Sequence, residues 1–128
     1  NAVGEDLSGR LIPAVEVRLR GLYRLLPPDY YEAADNLADF CDRIEKQYGV
    51  RPVIYCTERT YKNIVASDSR FNKDKIWYES LFSKPDKDMD WTFWTYTNRV
   101  KFSFYESGEY LHMTVFNGSE DDFKKLII

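Results

Sequence analysis

Glu16 and Arg18 stand at spacing i, i+2 at the end of the run Leu11-Ile12-Pro13-Ala14-Val15-Glu16-Val17-Arg18. The run reads as a buried strand over 11–18, and alternation along a strand sends both charges to the same side. A charge at the end of an apolar strand costs free energy unless it is paired or opens on a cleft, so this strand end is a candidate active site. Carboxylates in clefts serve as proton donors, bases or nucleophiles. The guanidinium works against the first role, because arginine keeps its proton, with a pKa above ~12. Beside Glu16 it favours the charged carboxylate, the reverse of what a proton donor requires.

Other polar residues fall at strand ends and belong to the same candidate set: Thr57, Glu79, Thr95, Tyr96 and His112. His112 titrates near neutral pH by type and is the candidate for a replacement proton shuttle; the competing reading is a hydrogen-bonded or exposed residue with no role. Glu79 is a second cleft carboxylate, or else the ion-pair partner of Arg18 or Lys101. Tyr55, Trp77 and Trp94 either line a groove for a flat ligand such as a sugar or pack in the core. Arg18, Arg20 and Arg24 form either a basic patch for an anion or a solvated loop face.

These residues need elements to hold them. After the first strand, 21–28 reads as a loop ended by Pro27-Pro28. Asp29 then caps a helix, with Glu32 completing a capping box. Its apolar face repeats at helical spacing through Tyr30, Ala33, Ala34, Leu37, Phe40, Cys41, Ile44 and Tyr48, and Gly49 ends it in a left-handed cap. Arg51–Thr57 is an apolar second strand of the kind covered on both faces in a parallel sheet. Thr57 caps a shorter helix to about Val65. Further strands are expected over 75–80, 90–96 and 110–116, and Ser119 caps a terminal helix carrying Phe123, Leu126 and Ile127. The order β-α-β-α-β-β-β-α implies an α/β fold with parallel strands at its start. In such sheets the functional residues gather at the C-terminal strand ends.

At 128 residues the chain suits a single domain over 1–128. It is 44% hydrophobic and 30% charged, a balance that excludes a disordered chain. The net charge of −3 and a pI near 5.2 give no general attraction to nucleic acid or anionic lipid. No apolar run approaches membrane-spanning length, and the opening Asn1-Ala2-Val3-Gly4 has no signal-peptide pattern. Cys41 and Cys56 read as two buried free thiols, since no C-x-x-C pattern joins them. With a single histidine the sequence offers no zinc set, and no cofactor is expected.

Five segments, in order, carry a resemblance: Ile12-Pro13-Ala14-Val15-Glu16-Val17; Tyr48-Gly49-Val50-Arg51-Pro52-Val53-Ile54-Tyr55-Cys56-Thr57; Ile76-Trp77; Trp91-Thr92-Phe93-Trp94; and Val115-Phe116-Asn117-Gly118. Together they resemble glycoside hydrolase family 25, the cell-wall muramidases with an irregular (β/α) barrel. The resemblance implies a partial TIM-like barrel, lacking the first strands, whose substrate is the bacterial cell-wall glycan, cut between N-acetylmuramic acid and N-acetylglucosamine. It also implies a secreted or cell-wall location. Glu16, Arg18 and His112 fall at catalytic positions, and Tyr55, Trp77, Glu79, Trp94, Thr95 and Tyr96 in the substrate groove.

The chain departs from the family at strand ends. Arg18 stands where the family has the second carboxylate of its first-strand pair, the general acid. Thr95 replaces a usual Gln, and His112-Met113-Thr114 replaces Asp-x-Asn. The family's opening strand with a further Asp has no counterpart in residues 1–11. Weak or absent hydrolysis follows, and an inactive or engineered relative acting as a glycan- or small-ligand-binding module is the rival expectation. An open half-barrel exposes edges and apolar faces, so a missing segment, a partner chain or self-association is expected to close it.

Overall fold

The computed structural model describes residues 9–17, 30–81, 83–100 and 111–128, the side chains of 98–100 and 111 excepted. Five strands form one sheet in sequence order: β1 (Ala14–Glu16), β2 (Val53–Thr57), β3 (Ile76–Glu79), β4 (Phe93–Val100) and β5 (Leu111–Phe116). The first four run parallel and β5 turns back antiparallel on β4. The mixed α/β order agrees with the sequence reading. The expected barrel is not shown: among the described residues the sheet is open, with β1 and β5 as its edges.

Helix α1 (Tyr30–Tyr48) buries the stripe Ala34, Leu37, Ala38 and Cys41. These pack on Ile54, Cys56, Ile76 and Tyr78 of β2 and β3, the residues that alternation sends to one side of the sheet. Ile54 is fully excluded from solvent, and a buried aliphatic of this size contributes roughly 1.5–3 kcal/mol. Gly49 ends α1 at φ +76°, a left-handed conformation that costs glycine nothing. Asp29, the expected N-cap, lies outside the described residues.

The helix expected after Thr57 divides in two. Thr57 caps α2 (Glu58–Thr60) by accepting from the Thr60 N–H. Tyr61–Val65 then widens into a π-helix, closed by Ala66 N–H donating to Tyr61 O at 2.8 Å. Ile64 and Val65 are consecutive and both buried, a placement that the wider turn accommodates.

Strand boundaries differ from expectation at β1, β2 and β4, and β2 starts at Val53 instead of Arg51. β1 covers only 14–16, because Leu11 bridges Ile127 instead of β2 and Pro13 has no N–H to donate. Backbone bonds Gly9 N to Ile128 O, Ile12 N to Leu126 O and Ile128 N to Arg10 O stitch the approach to β1 onto 126–128. β4 starts late because Trp91 O is taken by the Asn117 side chain at 3.0 Å, and it runs on to Val100. The terminal helix α3 (Glu120–Lys124) carries the Ser119–Asp122 capping box. Gly118 makes room for it: a Cβ there would lie 2.9 Å from the Phe116 ring and 3.1 Å from Asp122. Leu126 and Ile127 fall past the helix end.

Candidate functional site

Parallel strands in sequence order bring their C-terminal ends to one edge of the sheet. The register aligns Glu16 with Tyr55, Tyr55 with Trp77, and Trp77 with Phe93. One step on, Thr57, Glu79, Thr95 and Thr114 align. Alternation puts both rows on the face away from α1. Six of the expected residues therefore share one face: Glu16, Tyr55, Thr57, Trp77, Glu79 and Thr95.

The polar atoms are connected. Tyr55 Oη donates to Glu79 Oε2 at 2.8 Å. Trp77 Nε1 donates to Thr95 Oγ1 at 2.9 Å, and Thr95 Oγ1 lies 2.7 Å from Thr114 Oγ1. Thr95 is 1% exposed, so its hydroxyl is worth burying only because these partners satisfy it. Burial raises the Tyr55 phenol pKa most, and the Glu79 carboxylate and the charge of Glu16 push it further in the same direction. Glu16 is exposed and acts on Tyr55 electrostatically from the neighbouring strand.

An aromatic ladder lies beneath these groups. Tyr55 meets Trp77 edge to face at 5.0 Å, and Trp77–Phe93, Phe93–Phe116 and Phe116–Phe123 follow at 5.2, 5.5 and 5.4 Å. All five side chains are half-buried. At the opposite end of the strands, Leu11, Ala14, Val53, Trp77, Phe93 and Leu126 line a small apolar cavity of about 100 Å³.

Three expected residues do not join this cluster. Trp94 aligns with Tyr78, so it faces the helices, packs against the core and donates Nε1 to Ser80 O at 3.1 Å. Tyr96 sits at a break in the β4–β5 register, its ring 5.6 Å from Trp94. His112 is exposed on β5 and takes part in none of the cluster's hydrogen bonds. Arg18, Arg20, Arg24 and Lys101 lie outside the described residues; among the described residues the partner of Glu79 is Tyr55. Thr57 serves as the cap of α2. Thr114, Phe93 and Phe116 are not named as site residues in the sequence reading, although the spacing of two between Phe93 and Thr95 and between Thr114 and Phe116 puts each pair on one face of its strand.

Among the described residues no group of His, Cys, Asp and Glu has the makings of a metal site, and no helix is long and apolar enough to cross a membrane. Cys41 and Cys56 are free and buried.

No curated protein matches the chain. A solved family 25 glycosyl hydrolase from Bacillus anthracis is 28% identical with a TM-score of 0.78, over 93% of this chain and 55% of that one. The chain thus spans about half the length of that relative. The family model for glycosyl hydrolases family 25 matches residues 24–103. With the match covering most of the sequence, and the strands in the order found here, this chain belongs to glycosyl hydrolase family 25.

Proposed function

We propose that the chain is a peptidoglycan-directed domain of muramidase type, built to act on the bond between N-acetylmuramic acid and N-acetylglucosamine. One observation carries the reading: in a family 25 sheet, Glu16 stands in register with Tyr55 and Trp77 at the C-terminal strand ends. A carboxylate beside aromatic faces is what a glycan groove requires, since aromatic rings stack on apolar sugar faces and a carboxylate serves the glycosidic bond. The five strands form an arc of the family's barrel, which further chain or a second copy closes. The protein works outside the cell, at the wall.

Arg18 favours a second reading. Glycoside hydrolysis needs a proton donor at the leaving oxygen, and at the general-acid position arginine supplies none. In this reading the groove binds glycan or another small ligand without cutting it, in a natural or an engineered relative.

Turbidity of a bacterial cell-wall suspension separates the two. The hydrolase reading expects slow clearing that Glu16→Gln abolishes and Arg18→Glu accelerates. Wall binding with no clearing by either the parent chain or Arg18→Glu would overturn it in favour of the binding module.

A further inference from the structure

We infer that Glu79 is the groove's second glycan-contacting carboxylate and that Tyr55 is the positioning residue that aims it. The inference rests on the glycan reading above and adds to the expected groove a separate part for each residue: charge from Glu79, and its aim from Tyr55.

Tyr55 Oη donates to Glu79 Oε2 at 2.8 Å. Oε2 is thus engaged within the fold, and Oε1, to which no described residue donates, is the oxygen assigned to the glycan. A side chain with three rotatable bonds would sample many positions at a half-buried strand end; one strong hydrogen bond from a fixed donor removes most of that freedom.

The donor is fixed by its neighbours. The Tyr55 ring is braced edge-to-face by Trp77 at 5.0 Å and 72°. Trp77 is in turn tied by its indole N–H to Thr95 Oγ1 at 2.9 Å, and Thr95 to Thr114 at 2.7 Å. The bracing spans β2 to β5 and passes through Thr95, which is 1% exposed. A functional side chain locked by packing and by partners of this kind is pre-organised.

The placement fits two carboxylates flanking a bound sugar chain. Glu16 on β1 and Glu79 on β3 lie on either side of Tyr55 on β2, on the same face. Two strand spacings separate their backbones laterally by about 10 Å, a span that two glutamate side chains can narrow toward the distance across a glycosidic bond.

The test is the affinity of the full chain for N-acetylglucosamine tetramer, titrated by NMR, in wild type, Glu79→Gln, Tyr55→Phe and the double variant. Gln keeps the shape and still accepts from Tyr55, so the variant removes charge and leaves the packing. A hydrogen bond to a charged group is worth about 10-fold or more in affinity. Glu79→Gln is expected to weaken binding about 10-fold, Tyr55→Phe several-fold, and the double variant no more than Glu79→Gln alone. Wild-type affinity in Glu79→Gln, or losses that simply multiply in the double variant, overturn the role while leaving the glycan reading intact. A wild-type chain that binds no tetramer overturns the glycan reading and this role together.

Discussion

Arg51 grips Asp74 through two parallel hydrogen bonds, Nε to Oδ1 at 2.5 Å and Nη2 to Oδ2 at 3.1 Å. The third prong, Nη1, reaches Asp42 at 2.8 Å. The fork ties the C-terminal half of α1, the approach to β2 and the turn before β3. Asp74 is 3% exposed and Arg51 27%, and the two carboxylate partners raise the guanidinium's pKa further. Removing the cation would strand a buried carboxylate, which costs about 3 kcal/mol when a buried pair loses one member. Arg51→Ala should therefore lower the urea midpoint by that amount of stability. Arg51→Lys should recover only part, because a single ammonium cannot reproduce the fork.

Thr95→Val tests the polar line under the groove. The substitution keeps the volume and removes the oxygen that accepts from Trp77 Nε1 and meets Thr114. A part-buried donor left without its acceptor costs about 1–3 kcal/mol. Urea unfolding should show a loss in that range, and the Trp77 indole N–H resonance should shift.

Cys41 and Cys56 should be silent to alkylation in the native chain. Burial pushes the Cys41 thiol up to about 11 and the Cys56 thiol up to about 12, so almost no thiolate is present at pH 8. Iodoacetamide should label neither until denaturant is added, and then both. Labelling of the folded chain at either position would contradict the core described for α1 and β2.

Ile54→Ala removes a side chain with no exposure, packed between β2 and α1. Such truncations cost about 2–5 kcal/mol, set by how far the cavity collapses. The expected result lies in the upper half of that range, read by urea denaturation, because neighbours on both sides are themselves locked in the sheet and helix.

The α3 cap should loosen in acid. Asp122 accepts from the Ser119 backbone N–H and hydroxyl, which holds its pKa below the ordinary 3.8. A lowered folded-state pKa gives stabilisation that is present above 3.8 and lost as pH falls through the lowered value. Protection of the amides at the start of α3, taken relative to the rest of the chain, should be unchanged from pH 7 to 5 and fall below pH 4.

Much of this was legible in the sequence because the relevant signals are local. The apolar stripe of α1, the Gly49 cap, the Ser119 box and the apolar run of β2 each declare themselves within a few residues. The parity of the strands was equally visible, and it brought Glu16, Tyr55, Trp77, Glu79 and Thr95 to one face. Trp94 shows the limit: alternation separates Phe93 from Trp94, but only the register with Tyr78 says which of them faces the helices. Tyr96 shows a related limit, since a break in pairing with β5 interrupts the count there. The Tyr55–Glu79 bond joins residues far apart in sequence, and nothing short-range announces it. Arg18 and Lys101, the cations that charge sign offers to Glu79, lie outside the described residues.

The stitching of 9–12 onto 126–128 has a consequence for how the site comes into being. β1 is only three residues long, too short to hold its place by pairing with β2 alone, and its approach is anchored by a segment more than a hundred positions away in the sequence. Contacts of that separation form late and slow the search for the native state. Glu16 is therefore expected to be among the last groups to settle as the chain matures, after α1 and β2 have docked.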